Sequence, residues 1–144
     1  MLAGQELPLQ VGAMLSGPTR VMCVGPREWL LVSQERDAPA LRECLEPNLT
    51  TEGLVLVEVT GGLAMLEVRG PATRELLTKG CGLDLHSRRF PAGRCARTRF
   101  AQIPLTIACV EEPSRFELYV GRSYAHYLHT WIIDAAPEFA YGLG

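Results

Sequence analysis

The sequence predicts an α+β fold of two duplicated lobes, each an antiparallel sheet with packed helices, and three observations carry the prediction. Short apolar, β-branched-rich runs come in pairs separated by turn residues, as in 21–24 with 28–32 and 54–59 with 64–68. Between Ser123 and Ala135, Tyr124, Tyr127, Leu128, Trp131, Ile132 and Ala135 recur at helical spacing. The stretch 27–45 is echoed by 115–132: Val32 answers Val120, and Leu41 and Leu45 answer Leu128 and Ile132. This strand-then-helix repeat has a period too long for a solenoid, which leaves a two-lobed α+β domain.

Taken in order, residues 1–20 read as an extended N-terminal arm, because Pro8, Gly12, Gly17 and Pro18 interrupt any period. Residues 21–144 read as one α+β domain. The strand 21–24 turns at Gly25-Pro26 into 28–32, a first hairpin. Asp37, Ala38 and Pro39 open a short helix with Leu41, Cys44 and Leu45 on one face, and Pro47 is expected to stop it. The runs 54–59 and 64–68, separated by Thr60-Gly61-Gly62, read as a second hairpin. In the latter run Ala64, Leu66 and Val68 face one way and Glu67 and Arg69 the other, so one face of this sheet is expected to be wet. Gly70-Pro71 starts a helix whose apolar stripe is Leu76, Leu77 and Cys81. The runs 94–100 and 103–110 are strands joined at Ala101-Gln102. Residues 111–114 turn into a strand with Phe116, Leu118 and Val120 on one face. Ser123 is the expected N-cap of the final helix.

The stretch 79–100, KGCGLDLHSRRFPAGRCARTRF, distinguishes the chain. It reads as a helix end closed by Gly80 in a left-handed conformation, a long structured loop punctuated by Pro91 and Gly93, and an entering strand. A loop of this length between regular elements is more often an interaction surface than filler. Lys79-Gly80-Cys81, then Leu83-Asp84-Leu85-His86, Phe90-Pro91 and Gly93-Arg94-Cys95-Ala96 resemble the signature of the gamma subunit of heterotetrameric sarcosine oxidase. The resemblance extends to Gly25-Pro26-Arg27-Glu28-Trp29-Leu30-Leu31, to Glu58-Val59-Thr60, to Leu66-Glu67-Val68-Arg69-Gly70-Pro71, and to Tyr124-Ala125, Tyr127-Leu128 and the stretch from Trp131 to Phe139. It covers about residues 20–140. Family members usually carry a longer leader than the segment before Val21.

The resemblance implies a non-catalytic structural subunit. The assembly it implies oxidises sarcosine to glycine, reduces oxygen to hydrogen peroxide and passes the one-carbon unit to tetrahydrofolate. NAD, FAD, FMN and the folate site are implied in the large alpha and beta subunits, zinc in the small delta subunit, and no cofactor in this chain. Gamma subunits in turn resemble the folate-binding domain of the glycine-cleavage T protein, built from swapped α+β halves, in agreement with the internal echo. The direct partner implied is alpha, with beta and delta in the same complex. The docking surface expected is the loop 80–94 and the adjoining strand, through Asp84, His86, Arg88, Arg89, Phe90, Arg94 and Arg97.

The residues allow other readings. Asp84 and His86, two positions apart, face one side of an extended segment as an acid–base pair, or fasten the loop to neighbouring backbone. Cys81 or Cys95 with His86 would make a nucleophilic pair, against the ordinary case of five small, reduced, buried thiols. His126 and His129 lie opposite the apolar stripe, which places them in solvent without further metal ligands. Glu58 is the alternative folate contact of a stand-alone one-carbon protein, or a strand-end acid serving a turn. The arginines would receive the anionic tail of a folate, or acidic groups of a partner subunit.

The 144 residues are 47% hydrophobic and 21% charged with a formal net charge of −2. That balance argues against disorder and against a nucleic-acid binder, although 88–99 is locally basic. No apolar run approaches the ~20 residues of a membrane helix. The first residues lack a basic segment before an apolar one, so a cytoplasmic location is expected.

Overall fold

The computed structural model describes residues 6–34 and 37–138; residues 1–5 of the expected arm and Phe139 lie outside them. The chain divides into two units, Met1–Gly61 and Gly62–Gly144. The first holds a three-stranded antiparallel sheet in the order β1 (Met14–Leu15), β2 (Thr19–Gly25), β3 (Glu28–Ser33). Met14 and Leu15 sit opposite Met22 and Val21, so part of the expected arm is a strand of this sheet. The β2–β3 hairpin turns at Gly25-Pro26, where Arg27 takes φ 55°. The Trp29 indole donates to the Pro8 carbonyl at 2.7 Å and ties the preceding segment to β3.

Helix α1 (Ala38–Glu52) starts as its composition predicts: the Asp37 carboxylate accepts from the Ala40 amide at 2.9 Å. It is not stopped by Pro47, contrary to expectation. Leu45 on one side of the proline and Leu49 on the other are both buried, against Leu7, Leu31, Leu41, Leu54 and Leu56. Pro47 and Glu43, whose carbonyl loses its partner, are on the exposed face, where water can satisfy that carbonyl. The helix ends instead at Gly53, which takes φ 71° while the Leu54 amide donates back to the Leu49 carbonyl at 2.9 Å.

The expected hairpin 54–59 with 64–68 does not form. Residues 54–59 belong to no regular element, and Thr60–Gly62 is a 3-10 turn. Leu54 and Leu56 pack on the α1 cluster, while Val55 and Val57 are 87% and 70% exposed. The second strand of the expected pair, β4 (Leu63–Arg69), finds its partner in β7 (Arg115–Gly121), from Leu63 opposite Gly121 to Arg69 opposite Arg115.

The second unit is a four-stranded antiparallel sheet in the order β4-β7-β6-β5, with β5 at Arg94–Phe100 and β6 at Ile103–Glu111. Ala101 and Gln102 make the β5–β6 turn with φ 48° and 73°, as a two-residue hairpin loop requires. Phe116, Leu118, Val120, Leu105, Ile107 and Cys109 form the core face, filled by Leu76 and Leu77 of α2 (Thr73–Thr78) and by Leu128 and Ile132 of α3 (Ala125–Ala135). The opposite face is wet along the two edge strands, where Met65, Glu67 and Arg69 on β4 and Arg97 and Arg99 on β5 are exposed; on the central strands β6 and β7, Thr106, Ala108, Glu117 and Tyr119 are buried too. Inside that face the Tyr119 hydroxyl donates to the Glu117 carboxylate.

Two helix-boundary expectations give way to local geometry. Ser123 does not cap α3: it lies inside a 3-10 turn, Arg122–Tyr124, that feeds the chain directly into the helix. Gly80 is not left-handed. An added Cβ there would collide with the buried Phe100 ring, so close approach is what requires glycine. The echoed strand and helix are real elements in both units, β3 followed by α1 and β7 followed by α3.

Candidate functional site

The loop between α2 and β5 is built around His86. The Asp84 carboxylate accepts from the His86 amide at 3.1 Å, and His86 Nδ1 accepts from the Arg88 amide at 3.1 Å. The His86 carbonyl accepts from the amides of Arg89 and Phe90, both at 2.8 Å. Asp84 and His86 thus fasten the loop to its own backbone. This coil drives Leu85 and Phe90 inward, where both are buried and Phe90 stacks on Phe116. The loop closes where the Gly93 amide, at φ 93°, donates to the Cys109 carbonyl at 2.9 Å.

Arg74, on α2, holds this loop from beneath. Nη1 donates to the carbonyls of Leu85 and Phe90 at 2.6 and 2.8 Å, and Nε to the Pro113 carbonyl at 3.1 Å. Nη2 reaches the Glu112 carboxylate at 3.2 Å and Cys109 Sγ at 3.6 Å. Five guanidinium hydrogens therefore serve five acceptor groups, and the cation lies over the Phe116 ring at 5.1 Å. Glu112 completes the tie by accepting from the Ala92 amide at 2.9 Å. The Arg74 side chain is 16% exposed and that of Glu112 47%, so the pair is screened on one side only.

The residues expected at the docking surface fall into two groups. Asp84, His86, Arg88, Arg89 and Arg97 are exposed, the first four on the loop and Arg97 on the edge strand β5. Phe90 is buried, and Arg94 is half-buried, with its Nε shielded and without a hydrogen-bond partner. Glu58 is an exposed residue of the first unit, outside any strand. None of the five cysteines is in a disulfide; Cys23, Cys95 and Cys109 are buried and Cys44 and Cys81 half-buried. Burial raises the pKa of Cys81 and of Cys109 above 9.0, in the latter against the lowering pull of Arg74. A raised pKa keeps both as thiols at neutral pH, which opposes the nucleophilic reading of Cys81. His126 and His129 are exposed on α3, and among the described residues no group of three or more His, Cys, Asp or Glu is placed to hold a metal. Among them too, no helix is long and apolar enough to cross a membrane.

A second cluster surrounds Arg115, which pairs with Glu67 across β4, with Glu111 at 3.0 Å and with Glu117 at 3.9 Å. Its hydrogen bonds to the carboxylates of Glu67 and then Glu111 raise its pKa.

Sequence reasoning missed Arg74 and Glu112. The available signal was spacing: Arg74 lies three positions before the buried Leu77, on the side of α2 that faces the core.

The model of the sarcosine oxidase gamma subunit family matches residues 1–138. The sarcosine oxidase subunit gamma of Corynebacterium sp. (strain U-96) is 34% identical over 140 residues, covering 95% of this chain and 66% of that protein. That of Arthrobacter sp. is 34% identical over 139 residues, covering 95% and 67%. The chain thus spans about two thirds of the length of these relatives. Among solved structures, a chain of the heterotetrameric sarcosine oxidase from Corynebacterium sp. U-96, in complex with pyrrole 2-carboxylate, is similar with a TM-score of 0.85 and 28% identity. The match covers 100% of this chain and 80% of that one.

Proposed function

The chain belongs to the sarcosine oxidase gamma subunit family, and from that membership we propose that it is the non-catalytic structural subunit of a flavin-dependent, four-subunit sarcosine oxidase. The observation that carries this reading is the likeness over the whole chain to a subunit of a heterotetrameric oxidase. In this proposal the assembly demethylates sarcosine to glycine, releases hydrogen peroxide and hands the one-carbon unit to tetrahydrofolate. NAD, FAD, FMN and the folate site reside in alpha and beta, and zinc in delta. In this proposal residues 21–144 are the gamma-subunit domain, working in the cytoplasm.

The chemistry of the loop supports a scaffold. The ionisable candidates around it are spent on its architecture: Asp84 and His86 on backbone amides, Arg74 on carbonyls and on Glu112, and Glu112 on the Ala92 amide. Exposed on the loop are the cations Arg88 and Arg89, suited to carboxylates of alpha.

The test is co-purification of the tagged chain from its native cell, with an absorption spectrum of what accompanies it. Large flavin-bearing partners are expected, recovered poorly when Arg88 and Arg89 are both changed to Glu. A colourless chain that emerges alone and binds tetrahydrofolate would overturn the proposal.

A further inference from the structure

The signature loop is not an independent docking element. One guanidinium joins it to a second loop, the turn 111–114 between β6 and β7: Arg74 binds Leu85 and Phe90 on one side and Glu112 and Pro113 on the other. The two are also joined directly, by the Ala92 amide on the Glu112 carboxylate. Glu111, Glu112 and Pro113 are exposed, as are Asp84, His86, Arg88, Arg89 and Ala92. A partner pressing on the arginines therefore meets loops that cannot move separately without breaking charge-assisted hydrogen bonds.

We infer that the turn 111–114 and the loop 84–92 form one docking surface for a protein partner, and that Arg74 is the positioning residue that makes them one body. The inference rests on the scaffold reading above and adds to it a second loop and the residue on which loop geometry depends. The surface is of mixed sign, the Arg88 and Arg89 cations beside the Glu111 and Glu112 carboxylates. It calls for a partner face with acidic groups opposite the arginines and donors opposite the turn. Lysine cannot replace Arg74, because three rotatable donors on one ammonium do not span five acceptors.

The experiment uses the assembled complex. All subunits are co-expressed with the tagged chain as wild type, Arg74→Lys, Arg88→Ala or the double variant, and the apparent dissociation constant of the chain is measured for each. Arg74→Lys alone is expected to weaken binding about tenfold, the scale of one lost charge-assisted hydrogen bond. In the Arg88→Ala background it is expected to cost markedly less, since the group it positions is gone. The amides of Glu111, Glu112 and Ser114 are expected to exchange with solvent more slowly in the complex than in the free chain. Equal losses in both backgrounds, or no slowing at 111–114, would overturn the inference. If these occur while Arg88→Ala still weakens a flavin-bearing complex, the scaffold reading stands and only the coupling fails. If no such complex forms, both fail. Normal melting of the Arg74→Lys chain on its own separates weakened docking from loss of fold; a variant that loses docking only because it unfolds would overturn the positioning role.

Discussion

Phe90 lies with its ring 6.2 Å from that of Phe116 and only 15° from parallel, and Arg74 lies over the same Phe116 ring. A residue of the exposed-looking signature loop is thus part of the core. Phe90→Ala is expected to cost about 3–5 kcal/mol, the range for deleting a buried aromatic, and Phe90→Leu about half of that. Urea denaturation of the chain measures both. A loss under 1 kcal/mol for Phe90→Ala would mean that the loop does not anchor there.

Gly80 and Gly82 give an internal control. A Cβ at Gly80 meets the Phe100 ring, whereas at Gly82 it meets nothing within 4 Å. Phe100 is fully buried and packs edge-on against Trp131 at 4.9 Å, so it has little room to yield. Gly80→Ala is expected to destabilise by roughly 1–3 kcal/mol and to shift Trp131 fluorescence, while Gly82→Ala stays within about 0.5 kcal/mol of wild type. Similar melting temperatures for the two variants would contradict the close approach.

Cys109 supplies a pH dependence. Burial raises its pKa above 9.0, so between the unfolded and folded values the native thiol holds a proton that the unfolded chain has released. Its contribution to stability is complete below pH 9 and is lost as pH rises through the folded value. Wild type is therefore expected to lose stability faster above pH 9 than Cys109→Ala, because other alkaline groups titrate in both. Native Cys109 is also expected to react with a maleimide far more slowly at pH 8 than after unfolding in urea. Parallel pH profiles for the two proteins would remove the linkage.

What the sequence discloses about this fold depends on how local the deciding forces are. The β5–β6 hairpin was legible because Ala101-Gln102 and its flanking alternation lie within a dozen residues. Asp84 and His86 were legible as loop fasteners because their bonds span two positions. Arg74 was not, because its acceptors are carbonyls 11, 16 and 39 residues away. The run 54–59 has the composition of a strand, but β4 finds its hydrogen bonds on β7, 46 residues beyond at the Arg69–Arg115 end and 58 beyond at the Leu63–Gly121 end. Local propensity proposes a strand and distant pairing decides which one forms.

The same contest sets the last prediction, in helix α1. Pro47 removes one hydrogen bond from the helix interior, and the helix continues because Leu45 and Leu49 are buried on either side. The proline is on the exposed face, so replacing it leaves the buried Leu45 and Leu49 in place. Pro47→Ala is expected to stabilise the chain by about 1–3 kcal/mol, less whatever freedom the unfolded chain regains. Gly53→Ala acts in the opposite direction: nothing lies within 4 Å of its Cβ, but φ 71° strains any L side chain, at about 1 kcal/mol. Denaturation midpoints of the two variants should move apart. If Pro47→Ala lowers the midpoint, α1 is terminated at the proline in solution and Gly53 is not its cap.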